Sequence, residues 1–207
     1  MKIYPASPKL SPLDLASVTD LFLQGHLLAI PTETVYGLSA LLSEPASIQK
    51  IYAIKNRPFD KPLIIHISAL SQLESIIDPS PLFLKLAALF WPGPLTLIAR
   101  HLPSFSSPAT ANSATIAIRI TSHPCALQLI DALGIPLVAT SANSSGAPSP
   151  VSAQQIHLEG ISAIVDAGPT PYGIESTIVS LIDDLPVVVR EGAISLQQLK
   201  DAGLSNL

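Results

Sequence analysis

Lys55, Arg57 and Lys61 fall within seven residues of a 207-residue chain that carries only eleven lysines and arginines, with Lys50 just upstream. Like charges this close repel one another, so the stretch Lys55-Asn56-Arg57-Pro58-Phe59-Asp60-Lys61-Pro62 points to an anion that compensates them. Its two prolines stiffen the segment into a shaped loop rather than a solvated helix face. The alternative is an ordinary surface turn after a helix.

Four further segments place polar residues at the ends of apolar strands, where open α/β sheets bind ligands. Pro31-Thr32-Glu33-Thr34-Val35-Tyr36-Gly37 follows a strand at Leu27–Ile30, and Thr140-Ser141-Ala142-Asn143-Ser144-Ser145-Gly146 follows Leu137–Ala139. Their short side chains bring hydroxyls, an amide and backbone N–H groups close to a phosphate or ribose. Gly173-Ile174-Glu175-Ser176-Thr177 precedes a strand, and Arg190-Glu191-Gly192 follows one. Arg119 lies inside the apolar strand Ile116–Ile120, where a guanidinium needs a carboxylate or phosphate partner, from a ligand or from an internal ion pair. His66, in Ile64-Ile65-His66-Ile67, is either a hydrogen-bonded core residue or a site residue. Trp91-Pro92-Gly93-Pro94 reads as a rigid turn, and Cys125 as a small buried residue. The chain has no GxxxxGK[ST] phosphate loop, GxGxxG, HExxH or GxSxG, and its five histidines show no metal-ligand spacing.

These groups must be held by a large apolar framework. The chain is 48% hydrophobic but 5% aromatic, so Leu, Ile, Val and Ala build its core. The predicted helices are Pro12–Gln24 with Ser11 as N-cap, Pro45–Lys55, Ser80–Phe90, Pro124–Leu133, Ser152–Leu158 and Leu196–Ala202, with another capped by Ser68. Predicted strands are Leu27–Ile30, Leu63–Ile67, Leu95–Arg100, Thr115–Ile120, Pro136–Thr140, Ala163–Asp166, Thr177–Leu181 and Val187–Arg190. Pro103–Asn112 lacks periodicity and reads as a mobile surface loop. The alternation predicts one α/β domain over residues 1–207, with a mixed parallel and antiparallel sheet and flanking helices, and the clustered cations make a local basic site on it. A net charge of −4 weighs against a broad nucleic-acid-binding surface. One cysteine excludes an internal disulfide, and the absence of a spanning segment or leader pattern predicts a cytoplasmic protein without membrane association.

In their joint order these segments resemble the YrdC family over about Ser11 to Ala193. The resemblance rests on Pro31–Gly37, Lys55-x-Arg57-Pro58 with Lys61-Pro62-Leu63, Pro92-Gly93-Pro94-Leu95-Thr96, and Arg119 with His123-Pro124. It continues through Thr140–Asn143 with Ser145-Gly146, Ser176–Val179 and Arg190-Glu191-Gly192. Ser39-Ala40-Leu41-Leu42 departs from the family pattern, which usually has Gly and often Asp there. The chain resembles the short form without a further C-terminal domain.

The resemblance implies an adenylyltransferase that condenses L-threonine, bicarbonate or CO2, and ATP into threonylcarbamoyl-AMP and pyrophosphate. The product would serve threonylcarbamoyladenosine formation at position 37 of ANN-decoding tRNAs, through downstream threonylcarbamoyl transferase proteins. By resemblance Lys55 and Arg57 are catalytic. With Lys61, Thr115, Ser141, Asn143, Ser149 and Arg190 they hold the nucleotide. Thr34, His66, Arg119, Thr140 and Ser176 surround threonine, and Mg²⁺ is held mainly by ATP phosphates. An RNA-binding module and a hydrogenase-maturation carbamoyl-adenylate domain are the rivals; the second normally sits in a longer, cysteine-rich chain.

Overall fold

The computed structural model describes residues 1–182 and 185–204. Its helices begin where the sequence supplies caps. Ser11 accepts from the Asp14 amide to open α1 (Pro12–Leu23), and Ser80 accepts from the Phe83 amide to open α3 (Pro81–Phe90). Proline also begins α2 (Pro45–Lys55) and α4 (Pro124–Leu133), where a missing N–H costs nothing. A short α5 covers Leu196–Asp201, with Ser195 and Gln198 forming a capping box.

Among the described residues one ten-stranded sheet organises the fold: β1 (Lys2–Pro5), β2 (Leu28–Ile30), β3 (Gly37–Leu41), β4 (Ile64–His66), β5 (Leu95–Arg100), β6 (Thr115–Arg119), β7 (Leu137–Ser141), β8 (Ala163–Asp166), β9 (Thr177–Ser180) and β10 (Val187–Arg190). Across the sheet they run β1-β8-β2-β3-β7-β4-β6-β5-β9-β10. β4 pairs parallel with β6 and antiparallel with β7, so the sheet is mixed as expected.

Strand alternation distributes the core. On β7, Val138 belongs to the cluster that contains Ile48 and Ile51 of α2 and Phe83 and Leu86 of α3. Leu137 belongs instead to the cluster that contains Val18 and Phe22 of α1 and Leu129 and Ile130 of α4. Ala139, two residues on and on the same face as Leu137, lines a cavity. One face of the sheet is thus packed by α2 and α3. The opposite face is packed by α1 and α4 over one half and is hollow over the other.

Several elements differ from expectation. β1 and β3 were not predicted; β3 is buried along its whole length and alternates too little to register as a strand. The predicted helix at Ser152–Leu158 is a single 3₁₀ turn, Ala153–Gln155. The segment after Ser68 is also 3₁₀ (Leu70–Ser75), with the Gln72 side chain accepting from the Ser68 amide. Pro103–Asn112 is anchored: Ala109 is buried and its carbonyl accepts from the Leu63 amide, and residues 108–110 form a 3₁₀ turn. No helix among the described residues is long and apolar enough to cross a membrane.

Candidate active site

The hollow half of the sheet is a cavity of about 300 Å³. Its floor follows the two-residue period of the strands: Ile64 and His66 on β4, Thr115, Ala117 and Arg119 on β6, and Ala139 and Ser141 on β7. The small side chains of Ala117 and Ala139 leave depth at the centre. His66 and Arg119 are direct partners in the β4–β6 register, which sets imidazole beside guanidinium. The β2–β3 turn adds Thr32 and Thr34, and Thr140, Ser176, Glu175, Arg57 and Arg190 complete the wall. The polar groups therefore lie across a sheet face as well as at its strand ends.

Arg119 is 3% exposed and is held by three groups of the protein, with N–H donors to spare. Its Nε donates to the Gly93 carbonyl (3.1 Å), which explains the use of the Trp91–Pro94 turn. Nη1 donates to Thr34 Oγ1 (3.0 Å). Nη2 lies 2.6 Å from Glu33 Oε1, a charge contact in which the N–H is not aligned on the oxygen. Glu33 Oε2 accepts from the Thr121 hydroxyl. Burial pushes the Glu33 carboxyl up, but Arg119 and the Thr121 hydrogen bond together bring it below its ordinary range. The internal ion pair foreseen as an alternative for Arg119 is thus present, with Glu33 as the partner.

Donor counting orients the hydroxyls next to this pair. Thr32 Oγ1 donates to the Val35 carbonyl (2.6 Å), so it accepts from Thr34 across 2.8 Å. Thr34 in turn accepts from Arg119 and has committed its only proton. What it can still offer the cavity is a lone pair.

His66 is buried beside Arg119 and its pKa is pushed down to about 3, first by burial and then by that guanidinium. It is therefore neutral in the folded protein at neutral pH. The unfolded imidazole binds a proton below about pH 6.5 and the folded one does not, so His66 favours unfolding increasingly from there down to about pH 3. Replacing His66 with Asn is expected to flatten the acid side of a plot of urea midpoint against pH. An unchanged slope between those values would contradict this assignment.

The opposite wall is built by β9 and β10. Arg190 donates twice to the Ser176 carbonyl, from Nε (3.1 Å) and Nη2 (2.9 Å), and Ser176 Oγ shares a 2.8 Å hydrogen bond with Thr96. A Cβ on Gly192 would come within 2.2 Å of the Glu175 carbonyl oxygen. Glycine there lets β10 close onto the backbone of Glu175–Ser176 and set Arg190 at the cavity. Ser149 donates to Glu175 Oε1 (2.6 Å), a contact that lowers the Glu175 pKa. Arg57, half-buried, reaches the cavity from the loop after α2 while its Nε and Nη2 donate to the Lys61 and Pro62 carbonyls. Thr115 pairs with the Ser113 hydroxyl at 2.8 Å.

The structure does not bring every expected residue to the cavity wall. Lys55 is 2% exposed, and its ammonium is held by the Ser141 and Asn143 carbonyls and by Asn143 Oδ1. It lies on the same helical face as the core residues Ile48, Ile51 and Tyr52, so it points inward rather than at an anion in the cavity. Lys61 is exposed and meets Arg57 through its carbonyl. The Asn143 amide nitrogen braces its own loop, donating to Ser144 and Ala147 carbonyls, and Ser149 touches the site through Glu175. Sequence reasoning overlooked Thr32, Glu33, Thr121 and Glu175. Glu33 and Glu175 were signalled by lying inside strand-end segments of a chain with few acids. Cys125 is buried, with its thiol pushed up to about 12.

Fold and site together define a mixed α/β domain with a cation- and hydroxyl-lined cavity on an uncovered sheet face. The chain belongs to the Sua5/YciO/YrdC family, described as telomere recombination, whose pattern matches residues 20–192. It is 45% identical over 205 residues to the threonylcarbamoyl-AMP synthase of Bacillus subtilis, covering 93% of this chain and 59% of that protein. It is 34% identical over 180 residues to a putative threonylcarbamoyl-AMP synthase of Methanocaldococcus jannaschii, covering 86% and 84%. The crystal structure of P. abyssi Sua5 complexed with L-threonine superposes with a TM-score of 0.93 at 36% identity, over 98% of this chain and 61% of that one. The chain therefore spans about six tenths of the Bacillus relative and of the P. abyssi structure.

Proposed function

We propose that this chain is an L-threonylcarbamoyladenylate synthase, an adenylyltransferase that condenses L-threonine, bicarbonate-derived CO2 and ATP and releases pyrophosphate. The observation that carries the reading is one cavity lined by Arg57, Arg190 and Arg119, the last paired with buried Glu33, together with Thr34, Thr140 and Ser176. It is supported by the names of the relatives and by the threonine bound to P. abyssi Sua5.

The chemistry suits these groups. The threonine amine adds to CO2 and loses a proton to give a carbamate. A carbamate oxygen attacks the α-phosphorus, the bond to the bridging oxygen breaks, and pyrophosphate leaves with the negative charge. No enzyme nucleophile is required, so the rate gain comes from positioning and from cations that meet the accumulating charge. Arg57 and Arg190 serve the phosphates. The lone pair on Thr34 is suited to an amine N–H, and the remaining N–H capacity of Arg119 to the threonine carboxylate. His66, neutral, cannot add to the positive charge. Among the described residues no three carboxylate, imidazole or thiol groups gather to hold a metal, and Glu33 and Glu175 are already engaged. The residues fit a Mg²⁺ that arrives on the ATP phosphates and neutralises part of their charge.

The product would feed threonylcarbamoyladenosine formation at position 37 of ANN-decoding tRNAs through downstream transferase proteins. Pyrophosphate release is expected to require threonine, bicarbonate and ATP together, measured with each omitted in turn. Equal turnover with serine would overturn the substrate assignment, and release without threonine would overturn the reaction.

A further inference from the structure

We propose that Lys55 is a positioning residue, an internal strut that holds the Ser141–Gly146 loop against the end of α2 and does not touch the triphosphate. This deepens the reading of the cavity as a nucleotide site and, for its ligand arm, rests on it. Three oxygens surround the Lys55 Nζ: the Ser141 carbonyl, the Asn143 carbonyl and Asn143 Oδ1. An ammonium has three N–H donors, so the coordination is complete without an anion. The same residue holds the loop a second way, because the Lys55 carbonyl accepts from the Ser145 amide (3.1 Å). With Lys55 2% exposed, a phosphate reaching its ammonium would have to displace the carbonyls that shape the loop.

The backbone explains why Lys55 and Arg57 do different work although they are two residues apart. Asn56, the residue that ends α2, takes a left-handed conformation at φ 49°, and the Arg57 amide donates back to the Tyr52 carbonyl (2.9 Å). The reversal leaves Lys55 on the buried helix face and sends Arg57 to the cavity. Carbonyl oxygens drawn toward the ammonium also orient their peptide units, which places the Ser141 side chain at the cavity wall. The loop itself is otherwise short of anchors: residues 144–148 are exposed, and Gly146 has φ +86°.

The test uses Lys55→Met, which keeps length and apolar stem but removes the charge. Hydrogen exchange on the ligand-free protein is expected to show the Ser145 amide losing protection by about tenfold or more, as for loss of charged hydrogen bonds, while Val138 and Ala139 on β7 keep theirs. Binding of adenosine and of ATP is expected to weaken by the same factor, because the strut shapes the whole loop. Loss of ATP affinity with adenosine affinity intact would overturn the proposal and make Lys55 a phosphate ligand; unchanged Ser145 protection would also overturn it. If the wild type binds no adenine nucleotide, the functional reading fails, and exchange still decides the strut. Should Lys55→Met not fold, Lys55→Gln keeps a polar donor of shorter reach and no charge, and is expected to give the same exchange pattern.

Discussion

Arg57→Ala is expected to lower pyrophosphate release by roughly 10² to 10³-fold while leaving a folded protein, the magnitude typical of removing one group that stabilises transition-state charge. The structural cost is modest because Arg57 is half-buried and its two hydrogen bonds go to the Lys61 and Pro62 carbonyls within its own loop. Those bonds contribute about 1–2 kcal/mol each for a half-exposed cation, a fall of several degrees in Tm for a domain of this size. Arg57→Lys keeps a positive charge but loses the planar fork, so it should recover only part of the rate. Wild-type turnover in a well-folded Arg57→Ala protein would remove Arg57 from the chemistry. A loss of rate that tracks a loss of folded protein would make it structural.

Arg119→Ala is expected to be the most damaging single change in the cavity, abolishing threonine-dependent turnover and destabilising the fold by about 3–5 kcal/mol. The stability loss comes less from the missing attraction than from Glu33, left buried without the guanidinium that offsets its charge, although the Thr121 hydroxyl still donates to it. The double variant Arg119→Leu with Glu33→Leu should therefore recover much of the stability and none of the activity. Urea unfolding of the two proteins reads this directly: equal destabilisation of the single and double variants would refute the ion-pair account. The pH dependence carries the same sign. The folded-state pKa of Glu33 is lowered, so the pair's contribution is complete above the unfolded carboxylate pKa and declines as pH falls through the folded value. His66 acts in the same direction over a higher range, losing stability for the protein below about pH 6.5, so acid unfolding should begin before Glu33 titrates.

The helix ends were legible because their causes are local. A capping serine followed by proline opens α1 and α3, a proline alone opens α2, and such signals depend only on residues a few positions apart. The strands with strong apolar runs, such as Leu95–Arg100, were legible for the same reason. β3 was not: Gly37-Leu38-Ser39-Ala40-Leu41 has mixed, small residues, and its strand conformation comes from pairing with β2 and β7 on either side. The 3₁₀ turn at Ala153–Gln155 likewise stands where seven residues have helical composition but no capping bond from Ser152.

Most of the chemistry was visible as residue types at strand ends. The joint order of the segments that hold Thr34, Arg57, Arg119, Thr140, Ser141, Ser176 and Arg190 determined which family the chain resembles, and the fold places these residues, with His66, along one cavity. Lys55 follows Ile48, Ile51 and Tyr52 at helical spacing, and that stripe is the buried one. What met each side chain was decided only by tertiary structure. Glu33 finds Arg119, and Lys55 finds Ser141 and Asn143, across separations of more than eighty residues in the chain. Local periodicity specifies which face of a strand or helix a cation occupies. Whether the opposing charge is a ligand or a carbonyl already inside the protein depends on which elements the sheet order brings together.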